Sequence, residues 1–247
     1  MPRNHKKITR IFVENALQDG VEIELDKSQS NHLLNVLRKK TGDGLIVFNG
    51  VDGAWLGKIT QADRKKSVVK LLEQIAVQPK NIDLWYGFAP LKKARLDYMI
   101  QKATEMGVSN IAPVITQHTQ AQKLKTERLK AYVVEAAQQC EVLNIPKIEA
   151  QTTFKKLLEN WYVEHGERVL IVGDESKEAG SPLATLEALR GKKIGLLIGP
   201  EGGFSDEELA FLYTQDFVIP ISLGERILRA DTAAVAALAL IQAIIYQ

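Results

Sequence analysis

Ile194-Gly195-Leu196-Leu197-Ile198-Gly199-Pro200-Glu201-Gly202-Gly203-Phe204-Ser205 is the stretch whose reading decides the fold. A short apolar run ends in a glycine-rich turn, and a helix pattern follows. The arrangement returns shortly afterwards as Phe217-Val218-Ile219-Pro220-Ile221-Ser222-Leu223-Gly224-Glu225-Arg226-Ile227-Leu228-Arg229-Ala230-Asp231-Thr232. Each apolar run has the length of a buried strand, and each turn feeds a helix-like segment. In a parallel sheet both turns then lie at the carboxyl edge, where α/β proteins bind ligands.

The turn residues have specific uses. Gly199, Gly202 and Gly203 lack a Cβ, so the backbone can take left-handed angles and approach a ligand closely. Pro200 stiffens the turn. Ser205 with Glu208 fits a capping box opening a helix over 206–213. A plain strand-to-helix turn is the competing reading of the first motif taken alone. The second turn, with Leu223-Gly224 and two arginines, favours a ligand site. Neither turn matches a G-x-x-x-x-G-K-[ST] phosphate loop or a dinucleotide G-x-G-x-x-G.

Working outward, 247 residues with 45% hydrophobic and 25% charged content make one large globular domain or two ordinary ones. No apolar segment follows the basic start, so no signal peptide is expected. The most apolar segment, 233–245, is interrupted by Gln242 and is too short to span a bilayer. The single cysteine, Cys140, allows no internal disulfide and fits a reducing cytoplasm. Its helix pattern places it as an inert core residue. The net charge of +2 is unevenly spread: residues 1–76 carry 13 Lys+Arg against 9 Asp+Glu, and the remainder carries 19 against 21. A basic front part suggests that it meets a polyanion.

In chain order, alternating runs at 21–25, 44–48, 54–59 and 67–72 read as strands, with one helix pattern over 29–40 between the first two. Several strands and one helix describe a small β-barrel domain over 1–76. The segment 74–81, with Pro79, is the boundary. Beyond it strands alternate with longer helices. Residues 82–88 form a strand. A helix follows with Leu96, Met99, Ile100, Ala103 and Met106 inward, closed by Gly107. Residues 108–116 make the next strand. A helix over 126–143 turns Leu129, Val133, Ala136, Ala137 and Cys140 inward, and 168–172 is a third strand. With the two opening strands, 77–247 reads as an α/β domain.

Gly199-Pro200-Glu201-Gly202-Gly203-Phe204, followed by Leu223-Gly224-x-Arg226-Ile227-Leu228-Arg229-Ala230-Asp231-Thr232-Ala233, resembles the bacterial RsmE family. Those are methyltransferases acting on uridine N3 of 16S ribosomal RNA in the small subunit. The resemblance covers nearly the whole chain, and 32–43 is similar to the family's amino-terminal PUA-like domain. It implies a SPOUT fold, with a carboxyl-terminal trefoil knot around a five- to six-stranded, largely parallel sheet. It also implies S-adenosylmethionine as cofactor and a homodimer paired through the helix over 231–246. Ile198, Ile221, Leu223, Ile227 and Leu228 are then the apolar slot for adenine. Gly199, Pro200, Gly202 and Gly224 bring backbone close, and Thr116 contributes from the neighbouring strand. The chain departs from the family pattern at Gln117 and His118, where an acidic–arginine pair is usual. Further departures are Gln138, where an acid is usual, an arginine that is either replaced by Val142 or absent, and Asp231, where glutamate is common.

Uracil N3 carries a proton at neutral pH, so a catalyst must hold the base, favour its anion and align N3 with the methyl donor. Arginine can stabilise a uracil oxygen as negative charge develops but cannot readily act as base. Arg229 leads for that role, followed by Arg226 and Glu201. Pairing of Arg226 and Arg229 with Glu225, Asp231 or a partner chain is the alternative. Arg3, Lys6, Lys7 and Arg10, with Arg38, Lys39 and Lys40, are expected to hold RNA phosphates on the face leading to the pocket. The four histidines, His5, His32, His118 and His165, show no paired metal-ligand spacing, so no metal is expected. Two other functions stay open: a SPOUT enzyme with another target, such as a ribose 2′-hydroxyl or a transfer RNA base, and a non-catalytic RNA-binding protein on the same fold.

Overall fold

The computed structural model describes residues 8–91, 93–119, 124–174 and 182–246. They divide into two compact units at Lys80, with Ala137–Ile145 grouped with the first.

The first unit holds β1 (Arg10–Phe12), β2 (Glu22–Glu24), α1 (Lys27–Asn31), β3 (Gly44–Phe48), β4 (Ala54–Gln61) and β5 (Val68–Ala76). They form one five-stranded sheet in the order β1-β3-β4-β5-β2, antiparallel except for β1 on β3. The helix expected over 29–40 is shorter. Asp26 and Gln29 cap α1 reciprocally, and His32–Val36 then widens into a π turn, with Leu37 N–H bonding His32 O at 3.0 Å. Leu33 enters the core beside Ile23, Leu25, Leu45 and Val69, whereas Val36 and Leu37 face solvent. The four apolar residues of that run do not share one face, and the backbone leaves the helix at Arg38, whose φ is 54°.

Residues 137–145 complete this unit from a distance in sequence. Ala137 and Leu143 pack with Ile46, Phe48 and Ala54. Phe12 N–H donates to Gln138 Oε1 at 3.0 Å. Arg10, expected to hold RNA phosphate, is instead buried and ion-paired with Glu141 at 3.1 Å. A guanidinium so placed cannot reach a phosphate without giving up its counter-charge, which removes Arg10 from the RNA-facing set. Arg3, Lys6 and Lys7 lie outside the described residues.

The second unit contains β6 (Leu84–Phe88), α2 (Lys93–Glu105), β7 (Asn110–Ile115), α3 (Thr126–Cys140), β8 (Lys147–Ile148), β9 (Thr152–Thr153), α4 (Phe154–Glu159), α5 (Trp161–His165), β10 (Val169–Gly173), α6 (Pro182–Glu187), β11 (Ile194–Ile198), α7 (Asp206–Tyr213), β12 (Val218–Ile221) and α8 (Ala230–Ile245). Residues 137–140 of α3 are the part counted with the first unit. The sheet runs β12-β10-β11-β6-β7-β8, with β9 also on β7, and every pairing is parallel. β6 and β11 are buried along their whole length, the continuous apolar pattern of strands covered on both faces. β8 and β9 carry no apolar run and leave no trace in the periodicity.

On α3, Leu129, Val133, Ala136 and Ala137 are buried as their spacing requires. Cys140 is exposed, because the helix ends there and turns the residue outward. α8 buries Ala230, Ala234, Ala237, Leu238, Ile241 and Ile245, a stripe at helical spacing. Its Gln242 donates to Met106 O at 2.8 Å, beyond the end of α2.

Parallel pairing brings all the carboxyl ends to one edge. β10 lies between β11 and β12, so its end at Gly173 sits between the two glycine turns. Sequence order alone does not place it there.

Candidate active site

A cavity of about 230 Å³ opens at this edge, formed by the ends of three adjacent strands. From β11 come Ile198, Gly199, Pro200, Glu201, Gly203 and Phe204; from β12 come Leu223, Gly224, Arg226, Ile227, Leu228 and Arg229. Gly173 and Asp174 follow β10, Leu209 comes from α7, and Ala230 and Ala233 from the start of α8.

The first turn is held by several neighbours. A Cβ on Gly199 would meet the Phe204 ring at 3.0 Å, so glycine is what lets that ring fold back over the strand end. Ser205 and Glu208 form the expected capping box of α7. The same Glu208 carboxylate accepts the Gln117 N–H at 2.8 Å, tying the segment after β7 to the helix start. His118 Nδ1 lies 3.2 Å from Gly202 O and 3.0 Å from Gly203 O. Both are carbonyls, so Nδ1 carries the proton. Glu201 pairs with Arg95 of α2 at 3.0 Å, with side chains 43% and 37% exposed.

The second turn is left open. Gly224 has φ 112°, which only glycine adopts without strain. Arg226 and Arg229 are exposed, and Ile227 is 85% exposed. Among the described residues neither arginine forms an ion pair, with Glu225, Asp231 or any other acid. Between the turns, Asp174 anchors through its N–H to Ile221 O at 2.9 Å and accepts the Tyr213 hydroxyl at 2.6 Å. Desolvation and the Asp174 carboxylate push the Tyr213 hydroxyl well above its ordinary range, so it remains a donor.

Such a site, apolar-walled, edged by glycine backbone and flanked by two uncompensated guanidinium groups, suits a nucleoside-like ligand beside a reaction that develops negative charge. The comparisons with known proteins agree. Residues 78–242 match the family model described as an RNA methyltransferase domain, and 25–72 match an RNA methyltransferase PUA domain. The ribosomal RNA small subunit methyltransferase E of Rickettsia conorii is 35% identical over 94% of either chain. The protein of the same name from Buchnera aphidicola subsp. Schizaphis graminum is 31% identical over 96% of either chain. This chain belongs to the RsmE family of RNA methyltransferases. A Legionella pneumophila methyltransferase solved with S-adenosylmethionine superposes with a TM-score of 0.84 at 28% identity, over 96% of this chain and 98% of that one. The Neisseria gonorrhoeae ribosomal RNA small subunit methyltransferase E shares the fold at a TM-score of 0.86 and 23% identity, over 96% and 98%.

Of the residues expected to bind the RsmE cofactor, Ile198, Gly199, Pro200, Leu223, Gly224, Ile227 and Leu228 line the cavity, as do Glu201, Arg226 and Arg229. Three do not. Gly202 faces His118, whose Cβ would lie 3.4 Å from a Cβ added there. Ile221 is fully buried and reaches the site only through its carbonyl, the acceptor for Asp174. Thr116 is buried, with its hydroxyl 2.8 Å from that of Thr119. Sequence reasoning missed Gly173, Asp174, Phe204 and Leu209 as lining residues. The Gly173-Asp174 pair at the end of an apolar run was the available signal, but only the strand order gives it meaning. In the first unit Arg38 and Lys40 are exposed and Lys39 is half-buried.

Proposed function

We infer that this chain methylates N3 of a uridine in 16S ribosomal RNA, with S-adenosylmethionine as methyl donor. The observation that carries the reading is the cavity between two glycine turns, flanked by Arg226 and Arg229, in a chain of the RsmE family. The cavity suits the cofactor: Ile198, Leu223, Ile227 and Leu228 offer an apolar wall, and Gly199 and Gly224 bring backbone within reach. When bound there, the cofactor supplies a methyl group on positively charged sulfur. The chain's part is to hold the uracil, exclude water and stabilise the charge that appears as the N3 proton leaves. Arg229 is the leading candidate for that last role, supported by its exposure at the cavity and the lack of a counter-ion among the described residues. Arg226 is the second candidate. Glu201 is tied to Arg95, which leaves it a weaker one.

Exposed Arg38 and Lys40, with Lys39 and the undescribed Arg3, Lys6 and Lys7, form the proposed RNA-holding set. Neutralising three phosphate contacts should lower the salt slope of binding by about 3. An unchanged slope would remove this assignment. A homodimer belongs to the same reading. Val235, Leu240 and Ile244 of α8 remain half-exposed along the borders of its buried stripe, apolar surface available to a partner. A monomer by light scattering at micromolar concentration would count against it. The trefoil knot of the SPOUT fold is likewise part of the proposal; an experimental structure in which no loop encloses the segment after β12 would remove it. No described helix is long and apolar enough to cross a membrane, and we place the reaction in the cytoplasm with the ribosome; fractionation would test that.

The deciding experiment maps methylated nucleosides by mass spectrometry in ribosomal RNA from a deletion strain. N3-methyluridine should vanish from one 16S position and return with the wild-type chain but not with Arg229→Ala. Loss of a methyl group from a ribose or a transfer RNA instead would support another SPOUT target. No change at all would leave an RNA-binding protein without this activity.

A further inference from the structure

We propose that His118 is a positioning residue for the cofactor site, acting through the backbone of the first glycine turn. The proposal rests on the reading of the cavity as the S-adenosylmethionine site. His118 lies in the segment after β7, and neither it nor Gln117 lines the cavity. Both nonetheless grip the turn from behind. The His118 Nδ1–H is shared between the carbonyls of Gly202 and Gly203, at 3.2 and 3.0 Å, and the Gln117 N–H holds Glu208.

The peptide bonds here are trans, so each carbonyl fixed by His118 aims the next N–H the opposite way. On the far side of these two peptides are the N–H groups of Gly203 and Phe204. The Gly203 N–H closes the turn on Pro200 O at 2.9 Å. The Phe204 N–H has no partner among the described residues. Gly203 and Phe204 both line the cavity. Holding the two carbonyls therefore sets the planes of the Gly202–Gly203 and Gly203–Phe204 peptides, the second of which carries a spare N–H at the cavity. Gly203, at φ 69°, has no Cβ to stiffen it, so the ring supplies a constraint that the residue itself lacks.

The grip is specific to one ring nitrogen. In the tautomer that the carbonyls select, Nε2 carries a lone pair and takes no part. An asparagine at this position presents its amide N–H near the site of Nδ1, whereas a glutamine presents it near the site of Nε2. The pair of substitutions separates a donor at one place from mere bulk.

The test uses the full-length protein with His118→Ala, His118→Asn and His118→Gln. Calorimetry with S-adenosylmethionine should find the alanine and glutamine variants roughly 5- to 10-fold weaker than wild type, the size of one lost hydrogen bond. The asparagine variant should fall within about two-fold of wild type by the same measure. In methyl-transfer assays the loss should appear in KM for the cofactor, with kcat kept at saturation. Amide hydrogen exchange without cofactor reads the grip directly: the Gly203 N–H should exchange faster in the alanine variant and return to the wild-type rate with asparagine. Unchanged Gly203 protection in His118→Ala overturns the proposal, as does equal rescue by glutamine. Altered protection together with no binding by the wild-type chain would instead sink the reading of the cavity and leave the grip standing.

Discussion

The two glycine turns occupy equivalent places, each after a strand of one parallel sheet and each opening a helix, yet they are built differently. The turn after β11 is tied on three sides, by Arg95, by Gln117 and His118, and by its own capping box. Among the described residues the turn after β12 has only a weak internal contact, Gly224 N–H to Ser222 Oγ at 3.4 Å, and its arginines and Ile227 stand exposed. One wall of the cavity is fixed before any ligand arrives. The other keeps its cations and an apolar side chain uncommitted. A ligand bound by both walls meets a preformed surface on one side and must itself organise the other, so ordering costs fall on the side that carries the arginines. The division suits an enzyme whose small cofactor lies between the two walls while a large RNA meets the arginines of the second.

Removing Arg229 should break the comparison most severely. Arg229→Ala is expected to lower single-turnover methylation by ~10²–10³-fold, the usual size for losing a charge-stabilising donor, while calorimetric affinity for S-adenosylmethionine stays unchanged. A parallel fall in cofactor affinity would mean that Arg229 holds the cofactor instead of acting on the reacting base. Next in size is Gly224→Ala. An alanine held at φ 112° costs roughly 1–3 kcal/mol, and cofactor affinity should drop by roughly 5- to 150-fold. Gly202→Ala sharpens the contrast, since its φ is not left-handed and the new Cβ meets His118 in ordinary contact; calorimetry should find it close to wild type. Ser205→Ala should lower unfolding stability by about 1 kcal/mol, the value of a helix cap, with a smaller fall in Tm if Glu208 keeps its bond to Gln117. The least effect belongs to Glu201→Gln. Its ion pair with Arg95 is well exposed on both sides, and such pairs contribute ~0–1 kcal/mol, so a Tm loss beyond that range would show the first turn to be less secure than its contacts suggest.

What was legible in the sequence follows from distance along the chain. The Ser205–Glu208 box spans three residues, so composition and spacing suffice to read it, and the same holds for the strand–turn–helix order around Gly199 and Gly224. The buried faces of α2 and most of α3 were equally readable from helical spacing. His118, Asp174 and Phe204 were not readable as parts of the site. His118 and Asp174 acquire their places through strand order or a hydrogen bond spanning many tens of residues, and Phe204 through its ring folding back over Gly199; none of these leaves a periodic signal. The π turn at 32–36 was hidden for another reason. Leu33, Leu34, Val36 and Leu37 satisfy a helical pattern numerically, and only the core position of Leu33 decides which of them turn inward. Arg10 misled because a basic residue in a basic opening reads as surface, whereas its counter-charge, Glu141, is contributed by a segment more than half the chain away.

That borrowed segment has a consequence for how the protein comes into being. The first unit leaves the ribosome early, but Ala137, Gln138, Glu141 and Leu143 emerge only after residues 81–136 of the second unit have been synthesised. Until then Ile46 and Phe48 lack part of their cover, the Phe12 N–H has lost its Gln138 acceptor, and the Arg10 guanidinium is without the carboxylate it meets inside. A nascent chain halted near residue 80 is thus an unfinished domain, not an independent one. Excision of 1–80 for study in isolation carries the same defect, which restoring 137–145 as a tethered peptide would mend.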